Sequence, residues 1–163
     1  MIAETFTYDD GPTELFDLIS DGAFQLELIT HLGGKDAALL ERTTTPQGGV
    51  KLVTRQRAGV ELPGFAKRLI PANTTVTLTY VWEPAEDDDS RQGTWSTDIK
   101  GAPVSIGGQT TISSAGAGSV HAFGGEVKAS VPIVGGKLEA FALDNLRRDL
   151  ALAAKFTAGR LAR

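Results

Sequence analysis

Between about residue 137 and residue 160, Leu138, Ala142, Leu146, Leu150 and Ala153 recur at steps of four, four, four and three. Phe141 and Leu143 widen this stripe, while Lys137, Asp144, Arg148 and Lys155 fall on the opposite side. This is the pattern of an amphipathic helix with a broad apolar face. At ~1.5 Å per residue such a helix spans about 35 Å, the width of a small domain. It must therefore lie across whatever sheet the preceding residues build and form part of the core. Gly135-Gly136 ahead of it reads as a flexible turn, Pro132 stops the preceding strand, and Gly159 weakens the last turn, so Arg160 to Arg163 are expected to fray.

The rest of the chain reads mainly as strands. Ile2 to Tyr8 alternates apolar and polar residues, as an edge strand does. Pro12 suits the first position of a short helix carrying Leu15, Phe16, Leu18 and Ile19, which Asp21-Gly22 breaks. A second helix with Phe24, Leu26, Leu28, Ile29 and Leu32 closes at Gly33-Gly34. Strands follow near Ala37 to Thr45 and Val50 to Ala58, and the proline-bounded segment Leu62 to Pro71 reads as a short helix or loop. Four more strands cover Thr74 to Glu83, Gly93 to Lys100, Val104 to Ser113 and Ser119 to Val131. Their short connections predict an antiparallel meander.

Counting back from the turns sets Tyr80 opposite Trp95, Trp95 opposite Gly108, and Gly108 opposite Gly125. In that register one face collects Val76, Leu78, Tyr80, Trp82, Trp95, Ile99, Val104, Ile106, Ile112, Phe123 and Val127, and the other collects threonines, serines, Asp98 and Gln109. One covered face and one wet face are what an antiparallel sheet packed on one side requires. The expected fold is α+β, with a curved antiparallel sheet wrapped around a long C-terminal helix and two short helices after the first strand. Residues 1–163 are read as a single domain.

Composition narrows the function classes. The 163 residues carry a net charge of −4, which argues against nucleic-acid binding through a basic field. There are no cysteines, so neither a disulfide framework nor a thiolate metal site can form. No basic-then-apolar leader opens the chain and no apolar run approaches the ~18 residues of a membrane span. These features predict a cytoplasmic protein without stable membrane insertion. They leave its oligomeric state open.

The segments Gly11–Asp21 (GPTELFDLISD), Leu62–Phe65 (LPGF), Gly101–Ser105 (GAPVS) and Val131–Glu139 (VPIVGGKLE), in this order of elements, carry a family resemblance. The chain resembles the START-like (SRPBCC) superfamily over nearly its whole length. More narrowly it is similar to a family of unknown function within it, domain-of-unknown-function family 2505. The resemblance implies a helix-grip fold and an apolar ligand held between sheet and helix. It implies no catalytic residue set, because active members place different residues in the cavity.

Other chemistry finds little support in the residues. There is no G-x-S-x-G nucleophile motif, and only His31 and His121 could serve as bases. His31 falls in the last turn of the second expected helix, where it favours the dipole. His121 reads as a hydrogen-bonded histidine at the cavity edge. Glu86 to Asp89 lacks the alternation and glycine of a calcium loop and reads as a solvated hairpin tip. No metal site, cofactor or catalytic residue is assigned. The expected ligand-lining residues are Leu78, Tyr80, Trp82, Trp95, Thr97, Ile106, His121, Phe123, Leu138, Phe141 and Leu146. Gly108 and Gly125 beside Trp95 admit two meanings: a ring packed over bare backbone, or an open cavity. Few polar residues besides Tyr80, Thr97 and His121 are expected on the inner face. The reading is therefore non-catalytic binding or transport of a small hydrophobic molecule, lipid, polyketide or isoprenoid-like. A cyclase or hydratase using the same cavity and a ligand-free protein-interaction module are the alternatives.

Overall fold

The computed structural model describes residues 1–58 and 61–163. Strand β1 (Ile2–Tyr8) leads into helices α1 (Pro12–Ile19) and α2 (Gly22–His31). Strands β2 (Lys35–Thr44) and β3 (Val50–Arg57), the short helix α3 (Gly64–Lys67), and strands β4 (Thr75–Trp82), β5 (Arg91–Ile99), β6 (Val104–Ala115) and β7 (Gly118–Ala129) follow. Helix α4 (Gly135–Leu161) ends the described fold. The seven strands form one antiparallel sheet in the order β1-β7-β6-β5-β4-β3-β2. Consecutive strands pair from β2 to β7, through short hairpins except between β3 and β4, where the α3 segment intervenes, and β1 closes on β7. The curved antiparallel sheet across a long terminal helix is the START-like, helix-grip arrangement.

Local chemistry sets the helix ends. Pro12 opens α1, whose missing N–H belongs to the first turn, where no intrahelical partner exists. Asp21 ends one helix and starts the next: its carboxylate accepts from the Phe24 N–H at 3.0 Å and caps α2. Helix α4 begins at Gly135, so the two glycines form its first turn and not a loop before it. Gly135 is buried there, where an added Cβ would stand 3.6 Å from the Ala129 carbonyl oxygen. At the far end the helix extends past Arg160, and only Ala162 and Arg163 lie beyond its end. Arg160 forms an ion pair with Glu27 of α2, and the helix continues to Leu161.

The register Tyr80–Trp95–Gly108–Gly125 is present across β4, β5, β6 and β7. It places the aromatic side chains on the face that α4 covers. At Gly108 and Gly125 the paired strands β6 and β7 approach so closely that backbone occupies the space a side chain would need. A Cβ at Gly108 would lie 2.0 Å from the Gly124 carbonyl oxygen, and one at Gly125 would lie 2.3 Å from that of Gly107. Gly125 also has φ 154°, at the edge of the region that side chains avoid. The Trp95 indole N–H spans this close approach, donating to the carbonyls of Gln109 (3.2 Å) and Gly124 (3.3 Å). Of the two meanings open at these glycines, the ring over bare backbone is the one observed.

Replacing Gly108 or Gly125 with alanine is therefore expected to cost about 2 kcal/mol or more, at the upper end of overpacking penalties, because the obstacle is backbone that cannot rotate away. Urea denaturation would check it. A loss below about 0.5 kcal/mol would show that the close approach relaxes freely.

Candidate functional site

Helix α4 is anchored near both ends, and between them its inner face packs only partly against the sheet. Near its C-terminus Phe156 stacks on Phe24 (5.8 Å between centroids) and on His31 (4.3 Å), both from α2. Near its N-terminus Leu138 is fully buried with Ala66 and Ile70 of the α3 region. Between the clamps the helix presents the small residues Ala142, Ala153 and Ala154 along with Leu146 and Leu150. These do not fill the space, and a cavity of about 300 Å³ remains. That volume is at the lower edge of the ~300–1,000 Å³ typical of small-molecule sites. The inward-pointing Val76, Leu78, Tyr80, Thr97, Ile99 and Val104 all keep partial exposure, because they face this space and not packed side chains.

The sheet wall is aromatic. Tyr80 and Trp82 lie parallel at 6.1 Å, and Trp82 receives Phe16 edge-on at 5.6 Å. Phe123 meets both Trp95 and Phe6 edge-on at 6.3 Å. Each edge-to-face pair aligns a positive ring edge with a negative ring face.

Polar groups interrupt this wall at a few points. His121 Nε2 lies 2.9 Å from Thr110 Oγ1, which is also 2.9 Å from the Ala122 carbonyl oxygen. The threonine has one proton for two acceptors. Both contacts are satisfied when Thr110 donates to Ala122 and the His121 Nε2–H donates to Thr110. Burial pushes the His121 imidazole down to about 3, so it is neutral, and in this tautomer Nδ1 is left as an acceptor. Thr110 is 1% exposed and does not reach the cavity, so the pair is structural and not a nucleophile with its base. Burial also drives the Tyr80 phenol upward. At the other end burial raises the Tyr8 phenol to about 12, against the opposing pull of the neighbouring Thr157 hydroxyl.

The structure brings Leu78, Tyr80, Trp82, Trp95, Thr97, Ile106, His121, Phe123, Phe141 and Leu146 onto the walls of one cavity. Leu138 is not among them. It sits one turn too close to the start of α4, where α3 and Ile70 cover it. The expectation of few inner polar residues is also corrected. Gln25, Gln56, Asn145, Asp149 and Thr157 join the lining. Asn145 and Asp149 follow Phe141 at steps of four, so helical spacing alone places them on that side. Gln25 and Gln56 carry no such signal, because the inward sides of α2 and β3 are set by distant packing. The Gln25 amide is spent on the Ile19 carbonyl at 2.6 Å.

Among the described residues no group of three histidine or carboxylate side chains is placed to hold a metal ion, and no helix is long and apolar enough to cross a membrane.

Residues 4–161 match the family described as Protein of unknown function (DUF2505). No curated protein matches the sequence. Solved structures with the same fold include the ZhuI aromatase/cyclase from Streptomyces sp. R1128, with a TM-score of 0.65 at 12% identity, covering 99% of this chain and 93% of that one. A STAR-related lipid transfer protein fragment from Xanthomonas axonopodis aligns with a TM-score of 0.60 at 13% identity, covering 99% and 85%. A START superfamily protein from Mycobacterium smegmatis aligns with a TM-score of 0.57 at 16% identity, covering 99% and 96%.

The neutral His121 generates a pH dependence. Its folded value of about 3 lies below the ordinary 6.5, so between these limits the unfolded chain binds a proton that the folded chain refuses. Stability is therefore full above pH 6.5 and falls as the pH drops. The loss from this group between pH 6.5 and 5 is on the order of 1–2 kcal/mol. His121→Gln, which keeps a donor for Thr110, is expected to flatten the stability curve in that window. Chemical denaturation at pH 7, 6 and 5 checks it, and an unchanged slope would assign the acid sensitivity elsewhere.

Proposed function

Given that the chain belongs to the DUF2505 family of proteins of unknown function, we propose that it binds a small, largely apolar molecule in the space between α4 and the sheet, without transforming it. The observation that carries this reading is the cavity itself. An interior that could have closed is held open by clamps at both ends of α4, with aromatic side chains facing it. Burying apolar ligand surface would supply ~25 cal/mol per Å², before the cost of association. The fold shared with a lipid transfer protein and an aromatase/cyclase supports the same reading. The buried, doubly engaged Thr110–His121 pair favours binding over catalysis. On this reading the protein is cytoplasmic and acts as one domain on a small molecule, with no part in nucleic-acid binding.

Two measurements test it. Native mass spectrometry of protein purified without denaturation is expected to show a co-purifying small molecule. The neutral fluorophore N-phenyl-1-naphthylamine is expected to bind and to quench Trp82 and Trp95, which both line the cavity. Ala142→Phe is then expected to fill the space, costing less than about 1 kcal/mol of stability while reducing fluorophore binding at least about tenfold. In a closed core the same change would overpack by about 1–3 kcal/mol. That cost, together with no fluorophore binding to the parent protein, would overturn the proposal.

A further inference from the structure

Resting on the reading of the cavity as a ligand site, we infer that its occupant carries a hydrogen-bond donor on an apolar body, foremost a protonated amine, and that Asp149 receives it. Asp149 lies on the cavity side of α4 and is half-buried. Among the described residues its carboxylate makes no ion pair and accepts no hydrogen bond. The neighbouring cation, Arg148, is turned to the side-chain oxygen of Asn145 at 2.5 Å. Neither lysine nor arginine contributes to the described cavity lining, so Asp149 is the formal charge within it at neutral pH.

The surroundings act in the same direction. Tyr80, Trp82, Trp95 and Phe123 present ring faces or edges to the space, and ring faces attract cations. Burial raises the Asp149 carboxyl above its ordinary value against the opposing pull of the Arg148 charge, the mark of a charge held where solvation is poor. A donor on the ligand would relieve that cost, and a protonated amine would relieve most of it through a charge-assisted bond. A fatty acid meets the opposite situation: its carboxylate would face Asp149 with no cation to receive it. The cavity thus selects among apolar molecules by head group, with amine first, alcohol next and carboxylate last.

Three probes of equal chain length isolate the head group: decylamine, decan-1-ol and decanoate, titrated at pH 7 against tryptophan fluorescence and by calorimetry. Decylamine is expected to bind at least about tenfold more tightly than decanoate. In Asp149→Asn that ratio is expected to fall to about twofold or less, while decan-1-ol still binds. Asp144→Asn removes an exposed carboxylate from the outer side of the same helix and controls for the protein's overall negative charge. It is expected to leave the ratio in place. Should Asp149→Asn not fold, Asp149→Ser provides the same readout. Decanoate binding as tightly as decylamine, or an unchanged ratio in the Asp149 variants, would overturn this inference and leave the ligand site standing. Failure of all three probes to bind would overturn the ligand site, and this inference with it.

Discussion

The inner face of the sheet and the stripe on α4 each carry apolar area that neither can bury alone, and the rest of the molecule follows from their meeting. A flat sheet would touch a straight helix along one line only. In the curved sheet the bare backbone at Gly108 and Gly125 lets the Trp95 ring lie against β6 and β7, where its indole bridges the Gln109 and Gly124 carbonyls. The helix can then be contacted from several strands at once. Glu4 on β1 pairs with Arg147 at 3.0 Å, and Tyr8 reaches Thr157, so the edge strand is tied to α4 as well.

Firm anchoring at the ends and incomplete filling between them explain how an unfilled interior coexists with a stable fold. The phenylalanine and histidine stack at one end and the Leu138 cluster at the other fix the height of the helix above the sheet. With that height fixed, alanines in the central turns leave space instead of drawing the layers together. Larger residues there would be accommodated, because the scaffold around them is already braced.

Much of this was legible in the residues because hairpins are local. Short turns determine which residues face one another, and so Tyr80, Trp95, Gly108 and Gly125 could be aligned by counting. The α4 stripe had the same advantage of regular spacing. What escaped was non-local or lay at a boundary. Glu27 anchors Arg160 across 133 residues, which no pattern near the C-terminus reveals. Leu138 has the spacing of a cavity residue, but the loop after β3 happens to cover it. Asp149 and Asn145 share the spacing of Phe141 but sit at the margin of the stripe, where a charge and an amide are the residue types expected to face solvent. The two glycines were seen, but their reason is steric contact between strands that sequence neighbours do not share.

The pairing of β1 with β7 sets the order in which the sheet can be completed. Ile2 is partnered with Gly125, and the Ser119 hydroxyl donates to the Asp10 carbonyl across 109 residues of chain. Strands β2 to β7 can pair in sequence as they emerge during synthesis, most of them closing a short loop at low entropic cost, with the α3 segment as the one longer connection. The strand made first must wait until residues 118–129 have left the ribosome. During that interval both β1 and the β7 side of the sheet offer unpaired backbone to any other strand within reach. Helices α1 and α2, joined directly to β1, are carried along with it. Closure of the sheet by β1 therefore requires a contact between the first and last strands in sequence, the longest-range strand pairing in the fold.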